Sequence, residues 1–249
     1  TSAKGIKSGK DMIISKGTYT FDTSDDAIHT NASMDIKDGT YTIQSGDDGI
    51  HADETLTVEK GSMDIKKSYE GIEGNQIVIQ GGDIQVVSSD DGLNAAGGND
   101  GSSMNGRPGQ NTFSSSDSDV SITITGGNIY VNASGDGLDS NGNLYIKGGS
   151  VIVDGPQDSG NGALDYDGTC EITGGTLIAA GMSGMAQMPS DTSSQASVMI
   201  TFDQTQSENT LISLMQDNDL IIAYAPSKKF NNIVISTPSL TKDKTYSIQ

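Results

Sequence analysis

The chain has no tryptophan, one cysteine (Cys170), one arginine (Arg107) and only 5 % aromatic residues. A lone cysteine cannot form an internal disulfide, which excludes a cystine-stapled scaffold. Basic side chains are scarce too: 14 against 33 acidic ones, a formal net charge of −19. A surface of that sign repels nucleic-acid phosphates and anionic membranes and attracts cations. No apolar run approaches the ~18 residues of a membrane span, so membrane insertion by this segment is not expected. No signal peptide is legible, and the chain opens inside a repeat-like stretch, as a processed or trimmed piece would. Hydrophobic residues make up 33 %, too few for one thick core.

Glycine, by contrast, is abundant, with 32 residues, and it is periodic. Gly17, Gly39, Gly61, Gly82, Gly127, Gly149 and Gly175 follow one another in steps of 22, 22, 21, 45, 22 and 26. Three residues before each glycine stands Ile14, Ile36, Val58, Ile79, Ile124, Ile146 or Ile172, and two residues earlier Met12, Met34, Leu56, Ile77, Ile122, Leu144 or Cys170. Mostly polar residues alternate with them, the period of a half-buried strand. Apolar pairs from Tyr19/Phe21 to Leu177/Ala179 mark a second strand after each glycine. A single apolar residue (Ile6, Ile28, Ile50, Ile72, Leu93, Leu138, Leu164) marks a third. Three strands per coil of about 22 residues predict an all-β, right-handed parallel β-helix over residues 1–197. Residues 95–119 and 181–197 read as Gly/Ser-rich excursions. From 198 to 249 the period stops, and runs such as VMITF and NNIVIS predict an antiparallel β cap packed on the helix.

Before each third strand comes an acidic turn. The coils read Asp25-Asp26-Ala27-Ile28-His29, Asp47-Asp48-Gly49-Ile50-His51, Tyr69-Glu70-Gly71-Ile72-Glu73, Asp90-Asp91-Gly92-Leu93-Asn94 and Gly135-Asp136-Gly137-Leu138-Asp139, with Asp165 in the last, expanded coil. Stacked at coil spacing, like carboxylates recur every ~4.8 Å. That repulsion calls for a divalent cation, and the oxygen-rich donor set points to calcium. Counting ligands suggests three sites. One is Asp90, Asp91 and Asn94 over Glu70 and Glu73. The second is Asp47, Asp48 and His51 over Asp25 and Asp26. The third is Asp136 and Asp139 with Asp165 or Asp91. His29 and His51 stack in the same column; a zinc pair there is the alternative to a stack facing solvent, and the latter is expected. Tyr130, Tyr145 and Tyr166 are candidates for stacking on sugar rings.

The DDGIH and DDGLN turns, the paired glycines at strand ends and the SGMAQMPS stretch resemble a bacterial carbohydrate-binding β-helix family with a polysaccharide-lyase-like fold. The segment from Ala223 to Leu240 fits that family's C-terminal region. The resemblance implies extracellular or cell-surface placement, bound calcium, and binding to cellulose or acidic, uronate-containing polysaccharides such as pectic acid. Catalysis is not implied. The acidic turn is also similar to the calcium site of family nine polysaccharide lyases, Asp-Asp-x-x-Asp. That motif maps onto Asp47-Asp48 and Asp90-Asp91 and departs at its last position, where His51 and Asn94 stand. The expectation is a calcium-dependent polysaccharide-binding module. The alternatives are a calcium-dependent lyase, with Lys66, Lys67, Lys147 or Arg107 as base, and a non-catalytic adhesin or scaffold.

Overall fold

The structure, a computed structural model, describes residues 3–96 and 119–249. The predicted excursion at 95–119 falls almost wholly outside them. The described residues form strands and turns with no helix, and no helix is long and apolar enough to cross a membrane. Residues one coil apart pair in parallel: Ile6 with Ile28, Ile28 with Ile50, Met12 with Met34 and Thr18 with Thr40. The fold is a parallel β-solenoid of seven coils.

Three ladders run its length. Ladder one comprises Met12–Ile14, Met34–Ile36, the later halves of Ile50–Val58 and Ile72–Ile79, then Ser121–Ile124, Asn143–Ile146 and Cys170–Ile172. Ladder two comprises Thr18–Asp22, Thr40–Gln44, Ser62–Ser68, Asp83–Ser88, Asn128–Ala133, Ser150–Asp154 and Thr176–Gly181. Ladder three comprises Ile6–Ser8, Ile28–Thr30, the first halves of Ile50–Val58 and Ile72–Ile79, then Leu93–Ala95, Leu138–Ser140 and Leu164–Tyr166. In two coils, therefore, the third strand runs straight into the next coil's first strand. The register slips between Ala52 and Thr55, and a bulge there bends the strand without breaking it.

The corner between ladders one and two belongs to the periodic glycines. All seven have positive φ, from 156° at Gly17 to 82° at Gly149, a region that side chains with a Cβ avoid. Space is short as well: a Cβ at Gly61 would sit 2.8 Å from the Gly39 carbonyl oxygen. Inside, like stacks on like. Ile28, Ile50, Ile72, Leu93, Leu138 and Leu164 are all essentially inaccessible, as is the free thiol-bearing Cys170 in its ladder-one column.

The last coil is closed three ways. Phe230–Ser236 pairs antiparallel with Thr176–Gly181, and Ser197–Gln206 pairs antiparallel beyond it. Val234 faces the solenoid core, while Ile233 and Ile235 join Ile178, Ile212, Leu214 and Phe230 in a second small core. The hairpin Ile212–Gln216/Asp219–Tyr224 and the short strand Ser247–Ile248 complete the antiparallel region. Residues 181–197, expected as a free excursion, instead lie against the end of the rod. Ser190 N donates to Cys170 O, Gln195 N to Ile172 O, and the Ser193 hydroxyl accepts from Ile172 N at 3.0 Å. The Gln187 amide oxygen accepts from Tyr166 N. The polar content read as a sign of looseness supplies partners for the last coil's backbone edges.

Candidate functional site

The acidic turns stack as the repeat requires. His51 pairs with His29 and Glu73, Glu73 with Asn94, Asn94 with Asp139, and Asp139 with Asp165. Three residues earlier in each coil stand Asp26, Asp48, Glu70, Asp91 and Asp136, tied through successive backbone bonds between turns. One oxygen of such a carboxylate accepts an amide from the next coil: Asp48 N to Asp26 at 3.3 Å, Asp136 N to Asp91 at 2.6 Å and Gly162 N to Asp136 at 2.5 Å. Asp26, Asp91 and Asp136 are thus half inside the turn, each with one oxygen committed to the backbone.

Along the rod the column changes character. In the first two coils it is neutralised from within. Lys4 binds Asp25 at 2.8 Å and also Asp26, and His29 Nδ1 lies 2.6 Å from Asp26 Oδ2. Burial pushes the Asp26 carboxyl up, but these hydrogen bonds overcome it and hold the group well below the usual carboxylate range. His51 Nδ1 lies 2.5 Å from Glu73 and 3.2 Å from Asp48, and its Nε2 lies 3.0 Å from Asp53. Burial alone would lower its affinity for a proton; the hydrogen bonds to Asp48, Asp53 and Glu73 raise it well above the usual histidine value. The histidines do not face solvent as expected: His51 is wholly buried and His29 5 % exposed. The turn carboxylates draw both rings inward.

The middle of the column is under-satisfied. Asn94 Nδ2 donates to Glu70 Oε2 at 2.7 Å, yet Glu73 Oε1 and Asn94 Oδ1 are buried with no partner. A bare buried oxygen costs ~1–3 kcal/mol. Burial, then the charges of Glu73 and Asp48, push the Glu70 carboxyl well up. Asp90, placed with this set in the sequence reading, instead hydrogen-bonds Tyr69.

In the later coils the carboxylates converge with nothing to offset them. Oxygens of Asp91, Asp136 and Asp139 lie within 4.8 Å of one another. Among the described residues no ion pair reaches them. Burial, then mutual repulsion, pushes Asp91 up to about 8 and Asp139 to about 9. Asp136 reaches about 6, restrained by the amide of Gly162. Asp165 is raised by burial and by Asp167. An all-oxygen donor set of this kind suits a hard cation such as calcium. Asp25, Asp26 and Asp47 also converge, but Lys4 already serves that group.

A family model described as a carbohydrate-binding domain-containing protein matches residues 1–49 and, again, residues 47–92. No curated protein and no solved structure matches the chain. Both stretches matched to the carbohydrate-binding model end on the same Asp-Asp-Gly turn, so the matched unit spans two coils and carries the acidic column. Carbohydrate binding is the function this match supports.

The three candidate tyrosines do not come together. Tyr130 lies on ladder two, Tyr145 on ladder one and Tyr166 on ladder three. Each also has an internal partner. Tyr130 OH binds Asp154 at 2.9 Å, Lys147 sits 5.2 Å over the Tyr145 ring, and Tyr166 OH donates to Met188 O. Of the candidate bases, Lys66 pairs with Asp64 on an exposed flank, and Arg107 lies outside the described residues. Sequence reasoning missed Lys4, Asp53 and Lys228. Lys4 precedes Ile6 as Asp26 precedes Ile28, and Asp53 follows His51 by the strand period of two; both were legible from register. Lys228 was not, because it arrives from the cap. Its ammonium donates to the carbonyls of Ala133, Asp154 and Gly155. With Ser134, Gln157 and Asp158 it lines a cleft of about 300 Å³ next to the Asp136 turn.

Proposed function

We propose that the chain is a calcium-dependent carbohydrate-binding module. Its cation site is built on Asp91, Asp136 and Asp139, with Asp165 at the next register position. The observation that carries this reading is the convergence of the first three carboxylates within 4.8 Å with no cationic side chain among the described residues paired to them. Calcium takes six to eight oxygens, so three carboxylates leave positions for water and for a carboxylate of the ligand. Acidic, uronate-containing polysaccharide is therefore favoured over neutral cellulose. A surface of net charge −19 requires a bridging cation to hold an anionic glycan, and the tyrosines do not form one stacking platform for a neutral one. The cleft beside Ser134 and Lys228 supplies room for a sugar ring next to the metal. An extracellular setting goes with this reading, since calcium is available there at the concentrations that extracellular modules bind.

The test is binding to polygalacturonate and to insoluble cellulose, in calcium and in chelator, with ultraviolet absorbance followed in the same tube. Binding to polygalacturonate that chelation abolishes, with flat absorbance, is the expected outcome. Binding indifferent to chelation removes the calcium bridge. A rising absorbance from unsaturated uronates makes the protein a lyase.

A further inference from the structure

The first coils of the same column hold a second arrangement, with nitrogen donors in place of oxygen. His29 and His51 stack with ring centroids 4.6 Å apart and planes 9° from parallel. A nitrogen of each and a carboxylate oxygen of Asp53 lie within 4.8 Å of one another. His29 Nδ1 faces Asp26 Oδ2 at 2.6 Å. Asp26 has only acceptor oxygens in its ion pair with Lys4, so the His29 proton sits on Nδ1 and Nε2 is left as a bare lone pair. That Nε2 is buried and has no partner, in a side chain only 6 % exposed. His51 differs in one respect: its Nδ1 faces Glu73 and Asp48, and its Nε2 also faces a carboxylate, Asp53 Oδ1 at 3.0 Å, so without metal that nitrogen holds a proton, which a metal ion bound there would displace. Asn31 Nδ2 in turn donates to Asp53 Oδ2 at 3.1 Å.

We propose that His29 Nε2, His51 Nε2 and Asp53 form a binding site for a borderline divalent metal ion such as zinc. Each element of such a site is present. Two imidazoles present Nε2 to one place, and each has its Nδ1 proton held by a carboxylate, the outer arrangement that fixes the tautomer of metal-binding histidines. The third ligand is a carboxylate with its own hydrogen-bond donor. Imidazole nitrogen selects zinc and its neighbours over calcium, so the two halves of one column differ in the metal they take. Zinc–nitrogen bonds of ~2.0–2.1 Å require the two rings to tilt together from their present stacking. Three protein ligands leave a fourth tetrahedral position, on the side where the Asp53 carboxylate is 24 % exposed, for water or a ligand group. This site does not depend on the carbohydrate reading, because none of its ligands belongs to the Asp91–Asp136–Asp139 cluster.

The test is titration of the whole, chelator-treated chain with Zn²⁺ and with Co²⁺ in the presence of excess Ca²⁺. One equivalent is expected to bind, with the visible absorption of nitrogen-ligated cobalt. His29→Gln is expected to weaken zinc by more than about 100-fold, and Asp53→Asn, a change at a part-exposed side chain, by about tenfold or more. Asp139→Asn is expected to leave zinc binding unchanged. Imidazole NMR of the unaltered chain is expected to show zinc shifting the Nε2 signals of both histidines. The inference is overturned if calcium displaces zinc, if Asp53→Asn binds zinc as the parent does, if Asp139→Asn loses it equally, or if the histidine signals do not move.

Discussion

Whether a charge in the column stabilises the protein depends on its place along the rod. Asp26 lies between Lys4 and His29 and is stabilising as an anion; Asp139 has only other carboxylates for charged company. Asp139→Asn is therefore expected to have two effects of opposite sign. In chelator the melting temperature rises, by roughly 2–4 °C for each ~1 kcal/mol recovered, because the native state no longer has to protonate or charge a buried acid beside other carboxylates. Calcium affinity falls by about tenfold or more, because the charge count of the ligand set sets it. Thermal melts in calcium and in chelator check both, and a melting temperature that falls in chelator would show Asp139 to be a structural group. At this scale the sequence was informative about which residues gather and silent about their partners. The register of Ile28 and Ile50 stacked His29 on His51 in advance. That these rings turn inward depends on Asp48, Asp53 and Glu73 closing around His51, and strand alternation does not encode that.

A strand of a solenoid is stable only when both of its edges are paired, so the elements most exposed to failure are those at the ends. Cys170–Ile172, the last strand of ladder one, has no strand beyond it. Its amides and carbonyls are taken by Ser190, Ser193 and Gln195. Ser193→Ala would strip the buried amide of Ile172 of its acceptor, at a cost of about 1–3 kcal/mol. The expected result is a melting temperature lower by roughly 3–10 °C, with calcium affinity unchanged. The strands themselves were legible almost residue by residue, because an apolar column every 22 positions has no other economical explanation. The role of residues 181–197 was not, because a serine that caps a strand edge and a serine in a loose loop look alike until the edge is located.

For the molecule as a whole, the raised carboxylates tie stability to pH and metal together. In an unfolded chain aspartates titrate near ~3.9; in the native state Asp136, Asp91 and Asp139 titrate at about 6, 8 and 9. Between those limits the native protein holds protons that the unfolded chain has released, so stability falls as pH rises. His51 has the same sign, since its native proton is kept above the ordinary histidine range. In chelator the melting temperature is expected to decline by roughly 5 °C or more from pH 5 to 9, and saturating calcium is expected to flatten most of that slope. A chelated protein with a flat profile would mean that the carboxylates are already neutralised by some other group. The closure of the last coil has a further consequence, for growth. A pile of parallel strands is a template that will accept another copy at any open edge. Phe230–Ser236 runs the opposite way, and Ser190 and Ser193 occupy the neighbouring edge, so another copy cannot simply add the next coil there; it would meet Ser197–Gln206, which belongs to the cap and carries no coil register.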